Sequence, residues 1–111
     1  MNPAEIFAKE VSENIDKMGK DTTLHPASLE WLSKVSPYNY GYNFTWMGRP
    51  IIQLPQDIMA MQEIIWTVKP DLIIETGIAH GGSIILYASL LELNAISGGP
   101  QNARVLGIDI D

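Results

Sequence analysis

"DLIIETGIAHGGS", residues 71–83, changes character at its midpoint. Apolar positions in "LII", closed by Glu75, read as a buried β-strand. The small residues from Gly77 to Ser83 cannot continue one, because glycine gives a strand no side chain to pack and loses the most backbone entropy on ordering. A strand that stops in glycines and is followed by the periodic run "SIILYASLLELN" reads as strand, tight turn and helix. Farther on, "ARVLGIDID", residues 103–111, is a second apolar strand. A strand, a helix and a strand within about 40 residues form a βαβ unit, whose strands run parallel with a right-handed crossover. The class is therefore α/β. Uninterrupted apolar runs such as "LII" and "VLGI" fit parallel strands with helices on both faces.

Upstream, Ile58, Met61, Ile64, Ile65 and Val68 recur at helical spacing between Asp57 and Pro70. This helix, like the one at 83–94, is expected to lie on the sheet. Met59, Met61 and Trp66 are read as packing residues. The stretch "YNYGYNFTWMGRPIIQLPQD" is aromatic, rich in Asn and Gly and broken by Pro50 and Pro55; it reads as irregular, with a short extended piece around Ile51–Leu54. Tyr38, Tyr40, Tyr42 and Trp46 are expected to cover a core edge, the alternative being an aromatic wall for a ligand. Near the start, Ile6, Phe7, Val11, Ile15 and Met18 mark an amphipathic helix over 3–18, with Pro3 in its first turn and Gly19 at its stop. A short helix follows in "SLEWLSKV", with Ser28 as cap, Leu29, Leu32 and Val35 inward, and Pro37 at its end. These readings divide the chain into a helical and irregular segment, 1–43, and the first part of an α/β domain, 44–111. Two parallel strands leave two unpaired edges and little core, so the sequence reads as the N-terminal part of a longer protein.

Composition narrows the function classes. The 111 residues are 46% hydrophobic and 18% charged, ordinary for one soluble globular domain. Seven basic against 13 acidic residues give a net charge of −6, which removes support for nonspecific binding to nucleic acid or anionic lipid. Cysteine is absent, excluding disulfides and thiolate metal sites. The N-terminus lacks the apolar core of a signal peptide, and no run approaches the roughly 20 apolar residues of a membrane span; a cytoplasmic location is the default expectation.

In open α/β sheets ligands bind beyond the carboxyl ends of the strands, where the loop after the first strand meets its helix. Gly77 and Gly81 lie in that loop. The start of the helix offers N–H groups to a carboxylate or phosphate, and the Ser83 hydroxyl can donate to the same anion. Glu75 offers a carboxylate to an ammonium or hydroxyl group. A ligand carrying both charges fits this set better than a bare phosphate. The spacing G-x-x-x-G-G places Ala79 where a dinucleotide fingerprint needs its second glycine, which speaks against a nicotinamide cofactor, and there is no G-K-[ST] phosphate loop. Asp109, at the end of the second strand, stands where acidic side chains hold the two hydroxyls of a ribose, with Asp111 following on the same face. Asp109 is read first as a ligand contact and Asp111 first as a strand-end cap; the alternative to a ligand-binding loop is that the glycines make a plain turn. His80 reads as a ligand contact or an exposed loop residue, and Arg49 as a surface ion-pair partner before a binder of a substrate anion.

Taken in order, "WMG" (46–48), "QLPQD" (53–57), "PDLIIETGIAHGGS" (70–83) and "VLGIDID" (105–111) resemble the cephalosporin hydroxylase/rhamnosyl O-methyltransferase family. The resemblance covers residues 44–111 and implies a Rossmann-like, S-adenosylmethionine-dependent O-methyltransferase. It implies Glu75 near the methionine ammonium, Gly77 and Gly81 beneath the cofactor, Ser83 on its carboxylate and Asp109 on its ribose. Ala79 and His80 share that loop, and Gln53 stands on the cofactor's other side. The family and its relatives also use a divalent metal, Mg²⁺, held by carboxylates that would lie beyond Asp111; no metal ligand and no catalytic residue is assigned in this stretch, which alone is expected to be inactive. The acceptor would be a hydroxyl of a small molecule or glycan, and a homo-oligomer is compatible. An iron oxygenase needs two histidines and a carboxylate, and His25 and His80 are far apart in different settings. The competing readings are a nucleotide-dependent oxidoreductase on a similar fold and a non-catalytic fragment.

Overall fold

The computed structural model describes residues 1–110 and divides into two compact units, Met1–Tyr38 and the chain from Asn39 onward. The reading of Asp111 lies outside the described residues.

In the first unit, α1 (Pro3–Lys20) starts from a capping box: the Glu5 N–H donates to Asn2 Oδ1 at 2.9 Å, and the Asn2 N–H donates to Glu5 Oε2 at 3.0 Å. It runs through Gly19 instead of stopping there, ending with Lys20 paired to Asp16 at 2.8 Å. α2 (Leu24–Val35) begins one turn ahead of the expected Ser28. Ser28 is inside the helix, its hydroxyl donating to the His25 carbonyl at 2.8 Å, a back-bonding role in place of a cap. A 3₁₀ turn at Ser36–Tyr38 follows at Pro37. The inward stripes expected on both helices are not buried: neither contains a buried residue. Periodicity creates an apolar face, whereas burial needs an element lying across it.

The second unit corrects the irregular reading of the aromatic stretch. After a 3₁₀ turn at Tyr40–Tyr42, β1 (Phe44–Trp46) and β2 (Arg49–Ile51) form an antiparallel hairpin with Phe44 opposite Ile51. Met47 and Gly48 make its two-residue turn, both left-handed at φ 49° and 81°. Trp46 packs against the core and Tyr40 stands edge-on to Phe44 at 5.1 Å, but Tyr38 and Tyr42 are exposed. Next, α3 (Pro55–Val68) starts at Pro55, whose missing N–H costs nothing in the first turn. Left-handed Lys69 and then Pro70 end it, and the Lys69 ammonium lies 3.7 Å over the exposed Trp66 ring. Of the three packing residues expected here, Met61 touches the core while Met59 and Trp66 face outward.

The βαβ unit forms as the apolar runs require. β3 (Leu72–Thr76) and β4 (Arg104–Ile108) are parallel, with Leu72 opposite Arg104 and Thr76 opposite Ile108, and α4 (Gly82–Ile96) connects them. The core is Ile51, Ile65, Leu86, Tyr87 and Leu91, bordered by Ile73 and Val105. Helices were expected on both faces of this sheet. α4 covers the face of Ile73 and Val105, whereas Leu72, Ile74, Leu106 and Ile108 on the opposite face are half exposed. α3 packs along α4, joined by the buried Asn94 side chain donating to the Ile65 carbonyl at 3.1 Å. Between α3 and β3 an apolar groove of about 450 Å³ remains open. Over the described residues the fold is thus mixed α/β, with four α-helices, a hairpin and a two-stranded parallel sheet.

Candidate functional site

The carboxyl ends of β3 and β4 build the site. The Gly77 N–H extends the ladder by donating to the Ile108 carbonyl at 2.8 Å. The chain then turns away through three left-handed residues, Gly77 (φ 79°), Ala79 (φ 50°) and Gly81 (φ 82°). Gly81 is the N-cap of α4, and its N–H closes the turn onto the Ile78 carbonyl at 2.9 Å. Ala79 adopts this conformation in spite of its β-carbon, at a cost of about 1–2 kcal/mol. A β-carbon added at Gly77 would meet nothing within 4 Å. The space above Gly77 is open, and it belongs to a cleft of about 410 Å³ lined by Thr76, Gly77, Ile108, Asp109 and Ile110.

Asp109 is tied to this loop. Its Oδ2 accepts from the Ile78 N–H and its Oδ1 from the Ile110 N–H, both at 2.7 Å. The strand-end cap is therefore real. Across the loop, the Ser83 hydroxyl donates to Glu75 Oε1. That bond uses the hydrogen that the sequence reading reserved for an anion, and leaves the hydroxyl tied to Glu75. Glu75 Oε2 is buried and has no hydrogen-bond partner. A buried carboxylate oxygen without a donor is unfavourable, and such groups mark places where a ligand or a reacting partner belongs. Behind Glu75 lies the buried Tyr87, whose phenol is pushed above its ordinary pKa by burial first and by the Glu75 charge second.

The glycines divide by role. Gly82 faces no cleft: a β-carbon there would stand 2.2 Å from the Pro50 carbonyl oxygen and 2.7 Å from Ile51 Cβ, so its absence lets the hairpin press backbone to backbone on the start of α4. The Trp46 indole N–H donating to Ser89 Oγ at 3.2 Å fastens the same contact. As a result Arg49 lies over the glycine loop, its Nη1 donating to the His80 carbonyl at 3.4 Å. Met47, Gly48, Arg49, Pro50 and His80 line a second cleft of about 410 Å³.

Of the residues picked out by sequence, Glu75, Gly77, Ala79, His80, Gly81, Ser83 and Asp109 come together around one loop. At Gln53 the backbone N–H donates to the Gly41 carbonyl at 3.0 Å, and the residue is not part of the lining of these three clefts. Sequence reasoning missed the hairpin, and with it the placement of Arg49, because Met-Gly is a weak hairpin signal beside Asn-Gly or Asp-Gly. Among the described residues no three His, Cys, Asp or Glu side chains gather as a metal site, and no helix is long and apolar enough to cross a membrane.

Residues 38–111 match the protein family described as "Rhamnosyl O-methyltransferase/CmcI". A curated rhamnosyl O-methyltransferase of Mycobacterium leprae (strain TN) is 34% identical over 73 residues, which are 65% of this chain and 30% of that relative. The chain thus spans less than a third of the length of the relative it matches. No solved structure matches.

Proposed function

Because the chain belongs to the rhamnosyl O-methyltransferase/CmcI family, we propose that it carries the S-adenosylmethionine-binding part, residues 44–111, of an O-methyltransferase with a Rossmann-like domain. The observation that carries this reading is the buried Oε2 of Glu75, which has no hydrogen-bond partner, near the end of β3 and two residues before Gly77, over which the space is open. A methyl donor with an ammonium group, a carboxylate and a ribose answers both features.

In this reading Glu75 holds the ammonium, with Ser83 fixing the carboxylate's rotamer through its hydroxyl. Gly77 and Gly81 let the backbone pass beneath the donor, Ala79 and His80 complete the loop, and Asp109 accepts from the ribose hydroxyls while holding Ile78 in place. Gln53 contributes only if its side chain turns toward the loop. The bound donor supplies a methyl group on a positively charged sulfur for transfer to an acceptor oxygen. The chain's own part is to hold that donor in one orientation, and orientation accounts for a large share of the acceleration in a two-reactant transfer. The name of the M. leprae relative points to a sugar hydroxyl as acceptor.

Calorimetric titration with S-adenosylmethionine and with its demethylated product is the test. Saturable binding is expected, weakened about 10- to 100-fold in Glu75→Gln, the loss expected when a charge-assisted hydrogen bond goes. Absence of binding by either compound, or quenching of a reduced nicotinamide's fluorescence in their place, overturns the reading.

A further inference from the structure

Helix α1 is well specified at its start and along its polar side, yet buries none of its residues. The capping box fixes where it begins, and Lys9 pairs with Glu13 at 3.9 Å and Lys20 with Asp16 at 2.8 Å, one turn apart on the helix itself. A helix of 18 residues is only marginal in water, and an amphipathic one gains most of its stability when its apolar face is covered. Here that face is Ala4, Ala8, Val11, Ile15 and Met18, which recur at alternating steps of four and three, with Phe7 alongside. An unbroken four-three repeat is the narrow seam of a paired helix, whereas a helix lying on a globular core carries a broader stripe. The seam stands open, with Phe7, Ile15 and Met18 exposed to 67%, 64% and 62%.

The chemistry around the seam narrows what can cover it. The polar side carries Glu5, Glu10, Glu13 and Asp16 against Lys9, Lys17 and Lys20, a balance that attracts neither anionic lipid nor nucleic acid. The positions flanking the seam, Phe7, Ser12, Asn14 and Gly19, are uncharged, and the exception, Glu5, is held in the cap. Two copies can therefore approach without like charges meeting. Their exposed apolar side chains bring each copy toward the roughly 800 Å² per partner of a stable interface. We propose that the α1 seam pairs with the α1 seam of a second copy of this chain, the two helices running antiparallel. Antiparallel pairing sets Ala4 opposite Ile15 and Ala8 opposite Val11, small against large, whereas a parallel pair would stack alanine on alanine and leave its first half underpacked. It also turns the basic last turn of each helix, Lys17 and Lys20, toward the acidic first turn of the other and opposes the two helix dipoles. The proposal is independent of the donor-binding reading.

Sedimentation equilibrium of the whole chain is the first test. Wild type is expected to dimerise reversibly at micromolar concentrations, and Ile15→Glu to weaken the dimer at least about 10-fold, because a carboxylate would be buried in the seam. Two controls should leave the dimer unchanged: Ile6→Glu, on the other side of α1, and Ile74→Thr, on the open face of the sheet. The second test uses the absence of native cysteine. Ala4→Cys protein mixed with Ile15→Cys protein should form a disulfide-linked dimer on mild oxidation, and neither variant alone should do so. In the antiparallel pair two copies of Cys at position 4 lie about 16 Å apart along the axis, beyond the reach of a disulfide. A monomeric wild type at high micromolar concentration overturns the proposal, as does a dimer that survives Ile15→Glu or is lost in Ile74→Thr. Disulfides formed by each variant with itself and not in the mixture overturn it too, as does wild type that binds anionic vesicles without self-associating, which assigns the face to lipid.

Discussion

Gly77 and Gly82 stand five positions apart in one glycine-rich run, and their neighbourhoods assign them opposite tasks. Gly77 is left-handed with empty space where a β-carbon would go, whereas Gly82 is pressed against the Pro50 carbonyl. Gly77→Ala is therefore expected to lower stability by about 1–2 kcal/mol, the cost of a left-handed alanine, and to impair donor binding. Gly82→Ala should cost about 3 kcal/mol through overpacking and loosen the hairpin. Thermal melts set beside titrations separate the two. At Tyr87 the sign of the pH dependence follows from the raised phenol pKa. The folded protein holds this proton more tightly than the unfolded chain, so the associated stability is complete below about pH 10 and is lost as pH rises through the folded pKa. Phenolate absorbance followed through an alkaline titration should show one tyrosine ionising late. In Glu75→Gln its midpoint should fall but stay above the ordinary value, because burial is the larger cause and remains.

Among the elements, the β1–β2 hairpin matters most for the site and was the least visible in sequence. Helices α3 and α4 and strands β3 and β4 were legible within one to three residues, since periodicity and the flanking prolines and glycines report local preferences. The hairpin has only three residues per strand and turns on Met47 at φ 49°, a conformation that methionine resists. It exists because Ile51 is buried at 2% exposure and Trp46 is anchored on α4, and these are tertiary reasons. Met47→Asn is expected to relieve the turn and raise stability by about 1 kcal/mol in a denaturant titration. The first unit shows the converse. Its helix α1 carries good local signals, a capping box and an apolar stripe, yet buries nothing, since the stripe says which face is apolar and not what lies across it.

Over the whole molecule, burial is uneven. Leu86, at 1% exposure, sits at the centre of the core, and Leu86→Ala is expected to cost about 2 to 5 kcal/mol. Ile74, on the open face of the sheet at 58% exposure, should tolerate Thr within about 0.5 kcal/mol. Equal losses at the two positions in a denaturant titration would contradict this distribution of the core. The α/β class, the order of strand, loop and helix, and the gathering of Glu75, Gly77, Ser83 and Asp109 at the strand ends were determined by the sequence itself. Apolar runs, glycine breaks and a short crossover are local or nearly local constraints, and a parallel βαβ unit leaves few ways to satisfy them. Only the tertiary structure decided which partner each polar group takes. Ser83 gives its hydrogen to Glu75, Asp109 caps the Ile78 and Ile110 amides, and Arg49 crosses 31 positions to reach His80. The Asp109–Ile110 bond is local, but the others depend on distances between segments that no local pattern encodes, and the reach of Arg49 turns on the hairpin being pressed into the space that Gly82 leaves free.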